Sequence, residues 1–286
     1  MDRRNMIKKA IVGAGVIAAG KVVADSGSKE SAAIVGFNHL PEKKGITMGN
    51  IILHKAGERG HANHGWLNSY HSFSFASYYN PDKMHFGVLR VLNDDTVAPG
   101  MGFGTHPHDN MEIISIPLDG DLEHKDSMGN TTVIRQGDIQ VMSAGTGIRH
   151  SEYNKNKDKE VKFLQIWLFP NKKGVTPRYD QISLNPEERN NKLQQILSPS
   201  ADDEGVWIHQ DAWFHMGRFE QGKGTTYSSK RAGNGVYAFV IKGSFTVNGQ
   251  VLEARDAAGI TDADSIALSA NSADAVILLM DIPMTI

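Results

Sequence analysis

Thr105-His106-Pro107-His108, with Glu112 just downstream, and Arg149-His150-Ser151-Glu152 further along decide how this chain is read. Successive side chains on a strand point to opposite faces, so His106 and His108 share a face while Pro107 points away, and His150 and Glu152 repeat the arrangement. If the two strands pair, or face each other across a small barrel, three imidazoles and one carboxylate converge on a point suited to one ion. The chain has no cysteine. Such a site therefore offers only nitrogen and oxygen donors, a set that suits Fe(II), Mn, Ni, Cu or Zn better than Cu(I) or an iron–sulfur cluster. A lone H-x-H pair is more often a core or surface feature than a ligand pair. Two such pairs, each reached through a glycine-rich run at 99–104 and 144–147, make a metal centre the stronger reading.

The rest of the composition is that of an ordinary globular protein. The 286 residues are 40% hydrophobic and 22% charged, enough for two modest domains. Thirty basic residues oppose 32 acidic ones, with no basic stretch beyond the extreme N-terminus. That balance argues against direct nucleic-acid binding.

Residues 1–24 read as a targeting segment, with Arg3-Arg4 ahead of an apolar run from Ala10 to Gly20 that is shorter than the roughly 20 residues a spanning helix needs. The paired arginines predict a twin-arginine signal, cleaved after Ala24 or later after Ala32 or Ala33. They place the mature protein in the periplasm with no stable membrane anchor, the export machinery its first partner. Residues 25–44 form a lead into the mature chain.

From Gly49 onward, short apolar strands alternate with turns such as Asp119-Gly120 and Met128-Gly129-Asn130, the pattern of an antiparallel barrel over 45–170. His61, His64 and His71 are spaced for neither face of one strand and fit a structural role, or the rim of a pocket. A polar linker follows at 171–204. Within it Asn185-Pro186-Glu187-Glu188 predicts a capped helix running to about Leu197. Residues 205–286 repeat the barrel pattern, with Asn248-Gly249 marking a hairpin. The repeat lacks the ligands: Thr225 to Lys230 stand where the first half has its H-x-H approach, and Asp262-Ala263-Asp264 where it has His150 to Glu152.

Gly100, His106-Pro107-His108 and Glu112 resemble the first cupin motif, and Gly137-Asp138, Gly145, Gly147, His150 and Asn154 the second. Ser143 replaces the usual proline of the second motif, and its histidine arrives two residues late. That late histidine before Ser151-Glu152, together with 61–67, Phe73-Ser74-Phe75 and 122–130, resembles the pirin family from about residue 50 to the C-terminus. The resemblance implies an all-β fold of two cupin barrels with a short helical linker, the second barrel without metal ligands. It implies His106, His108, His150 and Glu152 as the ligands of one divalent metal, Fe(II) first, with Glu112 a near neighbour.

Four protein ligands on an ion that prefers six leave two positions, enough for a substrate hydroxyl and dioxygen side by side. The resemblance implies cleavage of a flavonol or related aromatic enol of the quercetin 2,3-dioxygenase type, with Glu112 taking the hydroxyl proton. The protein is expected to be a monomer. The alternative is a non-catalytic cupin that senses metal or redox state or binds a small molecule.

Overall fold

The computed structural model describes Thr47 and residues 49–286; the expected signal segment 1–24 and the lead 25–44 lie outside the described residues. Strands rich in Val, Ile and Phe are separated by tight turns, and the predicted hairpin is one of them. Asn248 (φ 43°) and Gly249 (φ 80°) both take the left-handed conformation that a two-residue type I′ turn requires, joining Phe245–Val247 to Gln250–Leu252.

The first barrel sets a seven-stranded sheet against a four-stranded one. The larger sheet runs Arg178–Ser183, Asp138–Ser143, Glu112–Asp119, Val161–Leu168, Leu89–Val97, Leu67–His71, Gly60–Asn63. The smaller runs Gly102–His108, Ile148–Asn154, Leu122–Asp126, Thr131–Ile134. The second barrel repeats this plan: Asn50–His54, Ala257–Thr261, Asn234–Lys242, Ala275–Pro283, Trp213–Phe219, Leu193–Ser198, Val206–Trp207 in one sheet, and Gly224–Tyr227, Ile266–Ala270, Phe245–Val247, Gln250–Leu252 in the other. The repeat seen in the sequence is thus a repeat of topology. The large sheets of the two barrels share one core, in which Leu89, Ile114 and Ile166 meet Phe214, Tyr237 and Leu278.

Three expectations are corrected. The helix predicted from Asn185 to Leu197 is a single 3-10 turn, Pro186–Arg189. Its cap is as expected, since Asn185 Oδ1 accepts the Glu187 N–H at 3.1 Å, but Glu188 engages Gln194 instead of closing a capping box. The chain turns out at Asn191 (φ 55°), and Leu193–Ser198 pairs with Trp213–Phe219, burying Ile196 and Leu197 completely. Burial in a sheet outweighs a helix propensity worth tenths of a kcal/mol per residue. The stretch expected as a linker therefore supplies a strand to each barrel.

Second, Asn50–His54, expected in the first barrel, pairs antiparallel with Ala257–Thr261 of the second. Ile51 and Leu53 pack on the core of the second barrel, and Asp256 receives Lys55 Nζ at 2.8 Å and the Ala56 N–H at 2.7 Å.

Third, the topological counterpart of the His150 strand is Ile266–Ala270, whose inward Ile266, Leu268 and Ala270 join an apolar filling with Phe219 and Phe245. Asp262 and Asp264 lie before that strand and accept from Asn50 Nδ2 (2.9 Å) and the Thr47 N–H (3.0 Å). They anchor the approach to the exchanged strand.

Candidate metal centre

Gly102–His108 and Ile148–Asn154 are antiparallel neighbours, and the register places His150 directly opposite His106. A bulge between His150 and Glu152 shifts the pairing so that Glu152 faces Phe103. The extra residue lies on the glycine-rich strand, which bends there. His106, His108 and His150 consequently bring their ring centroids within 4.5 to 4.9 Å of one another.

The proton arrangement can be followed atom by atom. His106 Nδ1 lies 2.8 Å from the Gly104 carbonyl, which can only accept, so Nδ1 carries a proton and Nε2 is the nitrogen free to bind an ion. That Nε2 stands 3.0 Å from His150 Nε2. His108 Nε2 is buried with no hydrogen-bond partner among the described residues. Burial first, then the neighbouring imidazoles, push His108 down to about 4 and His150 down to about 3, so both are neutral near pH 7. Neutral imidazoles with converging bare nitrogens are what a divalent metal binds. Two nitrogens each about 2.1 Å from one ion and at right angles would lie about 3.0 Å apart. The donor set fits.

Glu152 is 3% exposed and lies on the same side. Its carboxylate accepts from Gln165 Nε2 at 3.1 and 2.9 Å and from Ser115 Oγ at 3.2 Å, and it clusters with His150 and His124. The four expected ligands therefore gather at one place, with Glu152 held slightly apart beside His150.

Glu112, expected beside the metal as proton acceptor, is turned away. Ser115 on the same strand reaches Glu152 inside the barrel, so by alternation Glu112, Ile114 and Ile116 face the core between the barrels. There Ser143 Oγ donates to Glu112 at 2.7 Å, the His209 backbone N–H reaches it and Arg178 lies near. Burial pushes its carboxyl up to about 7 against those favourable contacts. It belongs to the shared core, not to the centre.

Two residues without an expected role complete the centre. On Leu122–Asp126, His124 and Asp126 share the inward face by the same two-residue spacing that marked H-x-H. His124 Nε2–H donates to Asp126 Oδ2 at 3.0 Å, leaving His124 Nδ1 3.5 Å from His150 Nδ1. Burial alone would raise the Asp126 carboxyl, but hydrogen bonds from Asn130, His124 and backbone N–H groups hold it below the usual range. The charged Asp126 thus orients His124, which accepts from His150 Nδ1–H and turns the bare Nε2 of His150 to the cluster. Such outer partners are worth roughly 10- to 100-fold in metal affinity. Asp126→Asn is expected to weaken nickel binding by about that factor, read by competition against a chelator, with the fold intact by circular dichroism. An unchanged affinity would deny the chain from Asp126 to His150.

Beside the cluster lies a cavity of about 110 Å³, walled by Leu67, Phe75, Phe103 and Trp167 and lined also by His106 and Glu152. Trp167 also packs edge-on against His108, with centroids 4.9 Å apart, and so joins the cavity wall to the cluster. His64 and His71 line the cavity, whereas His61 stacks on Tyr70 and contacts Asn68.

Residues 53–168 match the Pirin family model, and residues 195–282 the model described as the quercetinase C-terminal cupin domain. Quercetin 2,3-dioxygenase of Escherichia coli is 45% identical over 236 residues, 82% of this chain and 99% of that protein. A pirin-like protein of Caulobacter vibrioides is 42% identical over 223 residues, 78% of this chain and 95% of the other. The crystal structure of the bacterial pirin YhhW from Escherichia coli in complex with nickel(II) superposes with a TM-score of 0.77 at 44% identity, covering 82% of this chain and 99% of that one. With two barrels of matching topology, the paired H-x-H and H-x-E strands in the first and relatives aligned along nearly their full length, the chain belongs to the pirin family of two-barrel cupins.

Proposed function

We propose that this protein is a metal-dependent dioxygenase that cleaves a flavonol or related aromatic enol with dioxygen, in the manner named for its quercetin 2,3-dioxygenase relatives. The observation that carries this reading is the convergence of three imidazoles beside an aromatic-walled cavity. His106, His108, His150 and Glu152 hold one divalent ion, Fe(II) or Ni(II) by the donor set, the latter as in the bacterial relative. The bound ion would lower the pKa of a substrate hydroxyl and bring that substrate and dioxygen together.

The chain's own residues do the rest. Phe75, Phe103 and Trp167 grip a planar ring and keep water from its face. Glu152, held by Gln165 and Ser115, receives the substrate hydroxyl proton, the role expected of Glu112 before the fold turned it away. Oxygen uptake by iron- and nickel-loaded protein on quercetin, beside metal-free protein, tests the reading. Full metal content without uptake on any aromatic enol would leave a binding protein.

The protein is exported folded by the twin-arginine route to the periplasm; Arg3-Arg4 and the apolar run behind them support this. Replacing both arginines by lysine is expected to retain the protein in the cytoplasm, read by fractionation and by the mass of the chain. Equal periplasmic amounts of the two forms would refute the route.

A further inference from the structure

The cavity wall holds polar side chains that the proposed chemistry does not use. Ser69 and His71 on Leu67–His71 stand directly opposite Asp95 and Asn93 on Leu89–Val97. Asn93 in turn faces Gln165, and Gln165 faces Ser115. Strand alternation therefore lays one buried polar row across the sheet, from His71 to the two residues that hold Glu152. Ser69, His71, Asn93 and Asp95 are each 2 or 3% exposed, and all four line the cavity.

Donors and acceptors along the row can be assigned. Burial pushes the Asp95 carboxyl up to about 7; in its ionised form it accepts from Ser69 Oγ–H, which leaves Ser69 Oγ to accept from His71 Nε2–H at 2.8 Å. His71 is neutral, held below its ordinary range by burial and then by His61, Arg59 and His64. With its one proton on Nε2, its Nδ1 is a bare acceptor. His71 Nδ1 and Asn93 Oδ1 are both buried without a partner among the described residues, at a cost of about 1–3 kcal/mol each if nothing meets them. Two unmet acceptors on directly paired residues call for hydroxyl donors. A cavity of about 110 Å³ is well short of the roughly 300–1,000 Å³ that encloses a drug-sized ligand, so one ring enters it.

We propose that His71 and Asn93 form a hydroxyl-binding subsite in the wall of the cavity, taking one aromatic ring that carries a free hydroxyl. The proposal rests on reading the centre as a substrate site. Ser69 and Asp95 are positioning residues that fix the His71 tautomer. Any remaining rings of a larger substrate stay outside the cavity.

The test uses nickel-loaded full chain, calorimetric titration with hydroquinone, whose two hydroxyls cannot chelate one ion, and with its monomethyl ether, and nickel content measured in parallel. Hydroquinone is expected to bind about tenfold more tightly than the ether, which lacks one donor. Asn93→Leu and His71→Phe are each expected to bring that ratio close to one at unchanged nickel content, while His71→Gln, which keeps an acceptor, retains part of it. Equal binding of the two ligands by the native chain would overturn the subsite, and so would variants that weaken both ligands alike. Should His71→Phe fail to fold, Asn93→Leu and the native ratio still decide. Absence of bound nickel, or of oxygen uptake on any substrate, would instead count against the dioxygenase reading, a failure separate from loss of the hydroquinone preference.

Discussion

Replacing His150 by alanine is expected to abolish metal binding, taking a chain that carries about one nickel or iron per molecule to background, with oxygen uptake lost in step. His150 is the residue shared by both donor clusters, one with His106 and His108 and the other with His124 and Glu152. Its Nε2 faces His106 and its Nδ1 faces His124, so the substitution removes a ligand and severs the connection to Asp126 at once. The loss should exceed the roughly 10- to 100-fold expected for Asp126→Asn, which leaves all four ligands in place. His61→Ala, at a residue stacked on Tyr70 away from the cavity, is the control and should leave metal content unchanged. Elemental analysis after dialysis reads the result. A His150→Ala chain that kept stoichiometric metal would place the ion elsewhere.

Glu112→Gln should make the protein more stable at pH 8 and leave it unchanged at pH 4.5. The carboxyl is 1% exposed and its folded value is raised to about 7 from an ordinary 4.5, so the fold prefers it protonated. Below pH 4.5 both folded and unfolded chains carry the proton and nothing is lost. Between 4.5 and 7 the unfolded chain gives it up while the folded chain holds it, and stability falls as pH rises. Above 7 the full difference stands, at about 3 kcal/mol. Glutamine can still accept from Ser143 and never ionises. For a domain of this size the gain at pH 8 corresponds to roughly 5–10 °C in melting temperature. Metal-free samples of both forms, melted at pH 5 and pH 8, measure it; a difference independent of pH would show that Arg178 and the His209 N–H already compensate the charge.

Much of the centre was legible because strand alternation is a local rule. Two-residue spacing put His106 with His108 and His150 with Glu152, and the same spacing at His124 and Asp126 would have shown the supporting pair had it been applied to Leu122–Asp126. Glu112 was misplaced for want of one register. It lies a few residues beyond His108, but Asp109-Asn110-Met111 turns the chain, with Asn110 at φ 41°, and the next strand begins on the opposite face. Asp95, Ser69 and Gln165 were invisible for another reason. They meet only through pairing between strands far apart in the chain, which no local pattern encodes. The repeat of the barrel was legible from its turns. The helix after Asn185 was not, because a good cap says where a helix starts and cannot say that Ile196 and Leu197 have a sheet to fill.

The exchange of Asn50–His54 into the second barrel has a consequence in time. Its partner Ala257–Thr261 lies more than two hundred residues downstream. At translation rates of about 5–20 residues per second the partner follows roughly 10–40 s later. Throughout that interval Ile51-Ile52-Leu53 leaves the ribosome as an apolar strand with a free edge, the kind of segment that recruits the wrong neighbour. The metal-binding barrel can assemble on the nascent chain, but the molecule closes only once synthesis is nearly complete, when its earliest described strand and one of its last come together.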